Sequence, residues 1–284
     1  MPYIHNPNLS QGTKVYRYMD LAKFLSLIHQ KTVFFAKASS YEDSREGMPT
    51  LLDDFLGSDV SALLDISMNS LWPMFSPDAK KKEAKEKVQA SQTARLIYEN
   101  RKVKTIFGHK PASSFSDNKS VFRAVANWVD ISCWHTDAAD VESMAMWKIY
   151  GGSAASVCVE STVGALVDSM VIPDGLEVHA GKVSYVDYEK DYIGVDDPLQ
   201  FFFNKSKHYE FEKEFRFVLH PSRLESILSA RAEFGTSIPV EPKSIIKSIV
   251  VSPAAADWFF DLINLIMKDA GYSVNIARSK IPLR

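Results

Sequence analysis

The chain has 284 residues, 46% hydrophobic and 24% charged, the values of an ordinary globular domain, which excludes disorder as the default. A net charge of −2 and a pI near 6.4 exclude a protein built chiefly to wrap duplex DNA, which would carry a broad basic face. Two cysteines, Cys133 and Cys158, supply neither a disulfide framework nor, without several histidines, a four-ligand zinc site.

The opening residues lack a basic segment followed by an apolar run. Lys14 to Met19 alternates apolar and polar residues, as a half-buried strand does. Asp20 is placed to cap a helix over Leu21 to Gln30, whose Leu21, Phe24, Leu25 and Ile28 form one apolar stripe. Thr32 to Ala38 reads as a second strand, and Ser39 to Pro49 as a polar turn. From Thr50 to Phe107 the pattern becomes helical, with a mixed-charge run typical of a solvated face. Residues 50–110 are therefore expected to be a helical insertion within one domain spanning 1–284.

Strand character returns at Asn127 to Trp134, and a helix is expected from Val141 to Tyr150, closed by Gly151-Gly152. Val157 to Glu160 reads as a strand, Thr162 opens a short helix, and Leu176 to Val186 is again strand-like. Phe201 to Tyr209 is expected to be helical and Glu212 to Leu219 a strand. A strand over Ile245 to Val251, a helix over Ala254 to Ala270 and a strand over Tyr272 to Ala277 close the chain. The order is mixed rather than strictly alternating, so the expected class is α+β, with a mixed, mainly antiparallel sheet. The most apolar late stretch, Trp258 to Met267, is short and contains Asp261, so no membrane partner is expected and the cytoplasm is the expected setting.

The segment Glu212-Lys-Glu214-Phe-Arg216 carries the most chemistry. On a strand these three charged side chains share one face, with Phe211, Phe215 and Phe217 on the other. Two carboxylates so placed repel, and an adjacent arginine offsets this. An exposed, salt-bridged edge strand would give the same pattern. Trp147 and Tyr150 lie three apart, as core anchors or as walls for a flat ring. Arg17, between Tyr16 and Tyr18 on a half-buried strand, calls for an anion, either a carboxylate or a phosphate. Glu42-Asp43-Ser-Arg45-Glu46 suits a helix cap better than a cation site. No glycine-rich phosphate loop or zinc-protease motif occurs, and no histidine pair has metal-ligand spacing, so no metal is expected.

In order and spacing, these blocks resemble a bacterial family known as domain of unknown function 2971. The matching residues are Tyr16-Arg17-Tyr18; Phe34-Phe35; Asp43 and Glu46; Ser132-Cys133-Trp134; Glu142-Ser143, Trp147 and Tyr150; Val183 and Tyr185; and Lys205, Glu212, Glu214 and Arg216. Where that family has Asn-Asp-Pro-x-Glu, this chain has Glu42-Asp43-Ser44-Arg45-Glu46. The layout is also similar to the ADP-ribosyltransferase superfamily, which implies NAD as substrate and a toxin or phage-defence role. The resemblance implies that Arg17, Ser132, Trp147, Tyr150 and Arg216 bind the dinucleotide. Glu214 would stabilise the cationic ribose, and Glu212 would orient or deprotonate the acceptor, whether protein, nucleic acid or water. Two other classes fit the residues: a hydrolase or nuclease using Asp43, Glu46, Glu212 and Glu214 around a divalent ion, and a non-catalytic binding or sensor module.

Overall fold

The structure is a computed structural model that describes residues 3–4, 10–57, 60–75, 81–115, 117–136, 142–152, 154–194 and 196–282. The strands are β1 (Tyr3–Ile4), β2 (Lys14–Asp20), β3 (Thr32–Lys37), β4 (Lys102–Thr105), β5 (Gly108–Pro111), β6 (Asp130–His135), β7 (Ser156–Thr162), β8 (Leu176–Lys182), β9 (Ser184–Val186), β10 (Asn204–Ser206), β11 (Glu214–Pro221), β12 (Gly235–Pro239), β13 (Ser248–Val251) and β14 (Asn275–Arg278). The helices are α1 (Leu21–Gln30), α2 (Leu51–Gly57), α3 (Val60–Phe75), α4 (Lys81–Glu99), α5 (Asn118–Ala126), α6 (Met144–Met146), α7 (Val163–Ser169), α8 (Pro242–Ile245) and α9 (Asp257–Asp269).

The class is α+β. One large sheet runs β1-β8-β11-β6-β2-β7-β13-β14, with β3 also paired to β6 and β12 to β3. Most pairings are antiparallel; β1 on β8 and β14 on β13 are parallel. The sheet forks at β6. Its C-terminal end meets β2 at Tyr16 and His135, while its start meets β3 at Ala36–Ile131 and Lys37–Asp130.

Alternation along the strands gives the sheet two distinct faces. Val15, Met19, Trp134, Phe215, Phe217 and Leu219 share one core with Phe24 of α1 and Phe259 of α9. Ile131 and Val218 face the other way, into a core with Phe122 and Val125 of α5 and with Phe201, Phe202 and Phe203. A third cluster, Tyr18, Met146, Trp147 and Cys158, covers the far end of that second face. The cap on α1 forms as expected, with Asp20 Oδ1 accepting from Lys23 N at 2.8 Å.

Several local expectations are corrected. Part of the 50–110 block is a hairpin, β4–β5, because Lys102 to Thr105 alternates and Gly108 takes φ +83° to close the turn. Lys207–Glu212 is a 3-10 helix, so the strand begins at Glu214 rather than Glu212. The expected helix over Phe201 to Tyr209 is a 3-10 turn (Pro198–Phe203) followed by β10. The expected helix from Val141 has its first residue outside the described ones. From Met144 it makes one α-turn and then a π-helix over Trp147–Gly151.

Candidate active site

Within Glu212 to Arg216 every residue but Lys213 is buried, and the segment is central, which rules out an exposed edge strand. β11 lies between β6 and β8, and Arg216 has no exposed surface. Lys213 adopts left-handed backbone, φ 44°, between the 3-10 helix and the strand. Such a conformation in a non-glycine residue costs about 1–2 kcal/mol. It swings Glu212 inward beside Glu214 and leaves Phe211 exposed, where pure alternation would have buried the phenylalanine. The turn is anchored from β6, since Thr136 N and Thr136 Oγ1 both donate to the Lys213 carbonyl at 2.8 Å.

Three carboxyl groups and two cations meet here. Lys205 Nζ donates to Glu212 Oε2 at 2.6 Å and lies 3.7 Å from Glu214 Oε2. Arg216 Nε donates to Glu214 Oε2 at 2.9 Å, and Arg216 Nη1 donates to the Phe202 carbonyl at 2.8 Å. Glu46 forms an ion pair with Arg216 Nη1 from the opposite side, yet neither of its oxygens accepts a well-directed hydrogen bond. Gly47 allows this approach. It has φ +69°, and a Cβ there would meet Phe202 Cε1 at 2.5 Å.

The electrostatics follow from burial and pairing. Burial pushes Glu46 up to about 7, against the pull of Arg216, and the nearby Glu214 charge adds to the rise. Burial would raise Glu214 too, but the charges of Arg216 and Lys205 outweigh it and hold the group below the usual carboxylate range. Arg216 is driven upward, since Glu214 and Glu46 outweigh its desolvation. Of Glu46 and Glu214, Glu46 is thus the one that keeps its proton more readily.

Around this cluster stand further groups, of which only Tyr150 was expected in the site. His135 Nδ1–H donates to the Glu212 carbonyl at 2.9 Å, because a carbonyl can only accept. Nε2 therefore carries the lone pair. Burial holds His135 down at about 4, so the ring is neutral at neutral pH. The Tyr150 hydroxyl is close enough to Glu212 to feel its charge, and the ring lies against His135, centroids 5.2 Å apart. The Glu214 amide donates to Tyr185 Oη at 2.8 Å. Cys133, opposite Arg216 in the register, has a thiol pushed upward by burial and by Glu214, so it is no nucleophile.

A cleft of 280 Å³ opens beside the cluster, lined by Tyr16, Tyr18, His135, Glu142, Phe211 and Glu212 among others. Trp147 is not a wall of it. The residue is buried, donates Nε1–H to Glu142 Oε2 at 3.1 Å, and takes Tyr18 edge-on at 4.9 Å. In the π-helix Trp147 turns into the core and Tyr150 toward Glu212.

Arg17 and Ser132 lie elsewhere. They leave β2 and β6 on the Trp134 side of the sheet, and Arg17 bridges the fork. Its Nη1 donates to Ser132 Oγ at 3.1 Å and its Nη2 to the Phe34 carbonyl at 3.4 Å. Arg17 lines a second cavity, of 410 Å³, with Trp134, Phe34, Gln30 and Ser237. The structure therefore gathers Glu212, Glu214, Arg216 and Tyr150, and separates them from Arg17, Ser132 and Trp147. Asp43 does not join the carboxylates as a metal ligand. Its Oδ1 accepts from Arg45 N at 3.0 Å within the turn, and the space between Glu46, Glu212 and Glu214 is taken by Arg216 and Lys205.

No helix among the described residues is long and apolar enough to cross a membrane. No family model matches the chain, and no curated protein matches it. The chain is similar to solved structures of Thermus sp. 2.9 DarT. The complex with ADP-ribosylated ssDNA is 10% identical, covers 99% of this chain and 97% of that one, and has a TM-score of 0.36. The NAD+ complex is 9% identical over 96% and 98% of the two chains, with a TM-score of 0.37. Scores this low assign neither fold nor chemistry to the chain.

Proposed function

We propose that the chain consumes NAD, breaking the bond between nicotinamide and ribose C1′ and passing ADP-ribose to an acceptor or to water. The observation that carries this reading is the held carboxylate of Glu212. It faces a cleft, is clamped by Lys205, and has the Tyr150 hydroxyl and a neutral imidazole nearby. Breaking the glycosidic bond sends its electron pair to the departing nicotinamide and leaves positive charge on the ribose. A fixed anion at that place is complementary to the transition state. The acceptor then bonds to C1′, and its proton passes to Glu212 or to the lone pair on His135 Nε2. A cleft of 280 Å³ lies at the small end of ligand sites of roughly 300–1,000 Å³, room for the nicotinamide riboside half rather than the whole dinucleotide.

In this reading Glu214 and Arg216 act as the support that fixes Lys205, and through it Glu212. Arg17 and Ser132 tie β2 and β3 together where the sheet forks at β6. A second reading, a non-catalytic binding module, is favoured by the filled core around Trp147. One experiment separates the two. The full chain is incubated with NAD while free nicotinamide is followed, alongside Glu212→Gln. Release that drops about 100-fold or more in the variant supports the proposal, the loss seen when one transition-state-stabilising group is removed. No release, or release untouched by the substitution, leaves the binding module.

A further inference from the structure

At the far end of β11, away from the ion cluster, three metal-ligating side chains converge. Glu177 and His179 are two apart on β8 and so share a face, and His220 on β11 stands directly opposite Glu177 in the register. The two imidazole rings stack at 5.2 Å, nearly parallel at 9°. His179 Nε2 lies 3.7 Å from Glu177 Oε2. One ligand-type atom from each of the three residues lies within 4.8 Å of the other two.

We propose that Glu177, His179 and His220 bind a divalent first-row metal ion, zinc first, with a fourth position left for water or another ligand. Tetrahedral zinc with its ligands at about 2.0–2.1 Å spaces them about 3.4 Å apart. Side-chain rotation alone closes the remaining distance, because the backbones are already paired. The orientation of His220 is the second observation. Its Nδ1–H donates to the Pro221 carbonyl at 2.9 Å, and that fixes Nε2 as the nitrogen with the lone pair. Ligating histidines ordinarily have their other N–H held in this way. Phe107 packs edge-on against the same ring, centroids 5.8 Å apart, and limits its swing. Burial grades outward from His220 through His179 to Glu177, which is half exposed, so an ion has a way in and an open side once bound. Two imidazoles with one carboxylate favour zinc or a neighbouring transition ion over magnesium and calcium, which select oxygen ligands. This site does not depend on the NAD reading.

The test is a titration of the full chain, stripped with chelator and dialysed, with Zn2+ alone, read by calorimetry. Co2+ serves as a spectroscopic probe and Mg2+ as a control. One equivalent of Zn2+ should bind, Co2+ should develop the intense visible absorption of a four-coordinate site, and Mg2+ should not compete. His179→Ala should weaken Zn2+ binding by at least the roughly 10- to 100-fold that outer-shell losses cost, and Glu177→Gln should weaken it measurably. His220 is buried and its replacement can disturb folding, so the two more exposed positions decide the matter. Absence of binding in the parent chain overturns the site, as does equal affinity in parent, His179→Ala and Glu177→Gln.

Discussion

Glu46 and Arg216 form an ion pair wholly inside the protein, and the arginine is shared with Glu214. Burial, helped by the nearby Glu214 charge, raises Glu46 to about 7 from an ordinary 4.5 against the pull of Arg216. A carboxyl raised in the folded state contributes stability that is present below about pH 4.5 and lost as pH rises through about 7. His135 works in the opposite sense. Held at about 4 against 6.5 when unfolded, it contributes stability present above pH 6.5 and lost as pH falls toward 4. In the parent chain the two slopes oppose each other between about pH 4.5 and 6.5. Glu46→Gln should expose the His135 slope alone, with stability rising to about pH 6.5 and flat to pH 8. The two urea-unfolding profiles should diverge by as much as about 3 kcal/mol between pH 4.5 and 7, from about 1.4 kcal/mol per pH unit. Parallel profiles would sink this account of Glu46.

Arg216 holds two buried carboxylates and the Phe202 carbonyl at once. Arg216→Met should therefore destabilise the fold by about 3–5 kcal/mol, the cost of leaving buried charge without its partner. Arg216→Lys should recover little of it, because a single ammonium cannot reach Glu46, Glu214 and the carbonyl with the geometry of a planar fork. Chemical denaturation of both variants checks this. A loss under about 1 kcal/mol in Arg216→Met would place the cluster among weakly contributing surface pairs.

Much of the fold was legible because its signals are local. The β2–α1–β3 unit follows from alternation, the Asp20 cap and one apolar stripe; both strands and the cap occur, and the buried stripe keeps Phe24 and Ile28 but takes Leu27 in place of Leu25. The E-x-E segment was legible as a site but not as geometry. Periodicity assumed a strand through Glu212, whereas the left-handed Lys213 delivers both glutamates to one place by another route. Glu46 and Lys205 were visible as matching positions, but nothing in the sequence says that they close on Arg216 and Glu212. The split of Arg17 from Glu214 was out of reach for a related reason. Which strand neighbours which, and that the sheet forks at β6, are set by long-range pairing. The pairing of His179 with His220 is likewise a matter of strand register, which explains why spacing along the chain gave no sign of it.

Gly47 gives a steric test of how Glu46 reaches its partner. At φ +69° and against the Phe202 ring, any side chain there is both strained and in collision. Gly47→Ala should cost about 1–3 kcal/mol, as overpacking does. By moving Glu46 out of its buried place beside Arg216, it should also shrink the Glu46 slope, so that stability rises from pH 5 to about 6.5 as it does in Glu46→Gln. Unfolding at the two pH values measures both effects. An alanine variant with parental stability would mean that the segment yields freely and that Glu46 is not rigidly placed.

Tyr150 provides the sharpest link between geometry and proposed chemistry. Its hydroxyl lies near the Glu212 carboxylate, and burial followed by the charges of Glu212 and Glu214 keeps the proton on the oxygen. Phenylalanine keeps the ring against His135 and removes only the hydroxyl that can donate to Glu212 when substrate is bound. A hydrogen bond to a charged group contributes roughly 1.5–3 kcal/mol, about one to two powers of ten in rate if it is needed in the transition state. Tyr150→Phe should therefore lower kcat for nicotinamide release by about 10- to 100-fold with KM little changed, because the hydroxyl positions the carboxylate and does not hold the substrate. Its unfolding midpoint should stay near that of the parent, since only a hydroxyl is removed from a partly exposed side chain. A rise in KM at constant kcat would instead make Tyr150 a binding wall. An unchanged rate would remove Glu212 from the reacting centre.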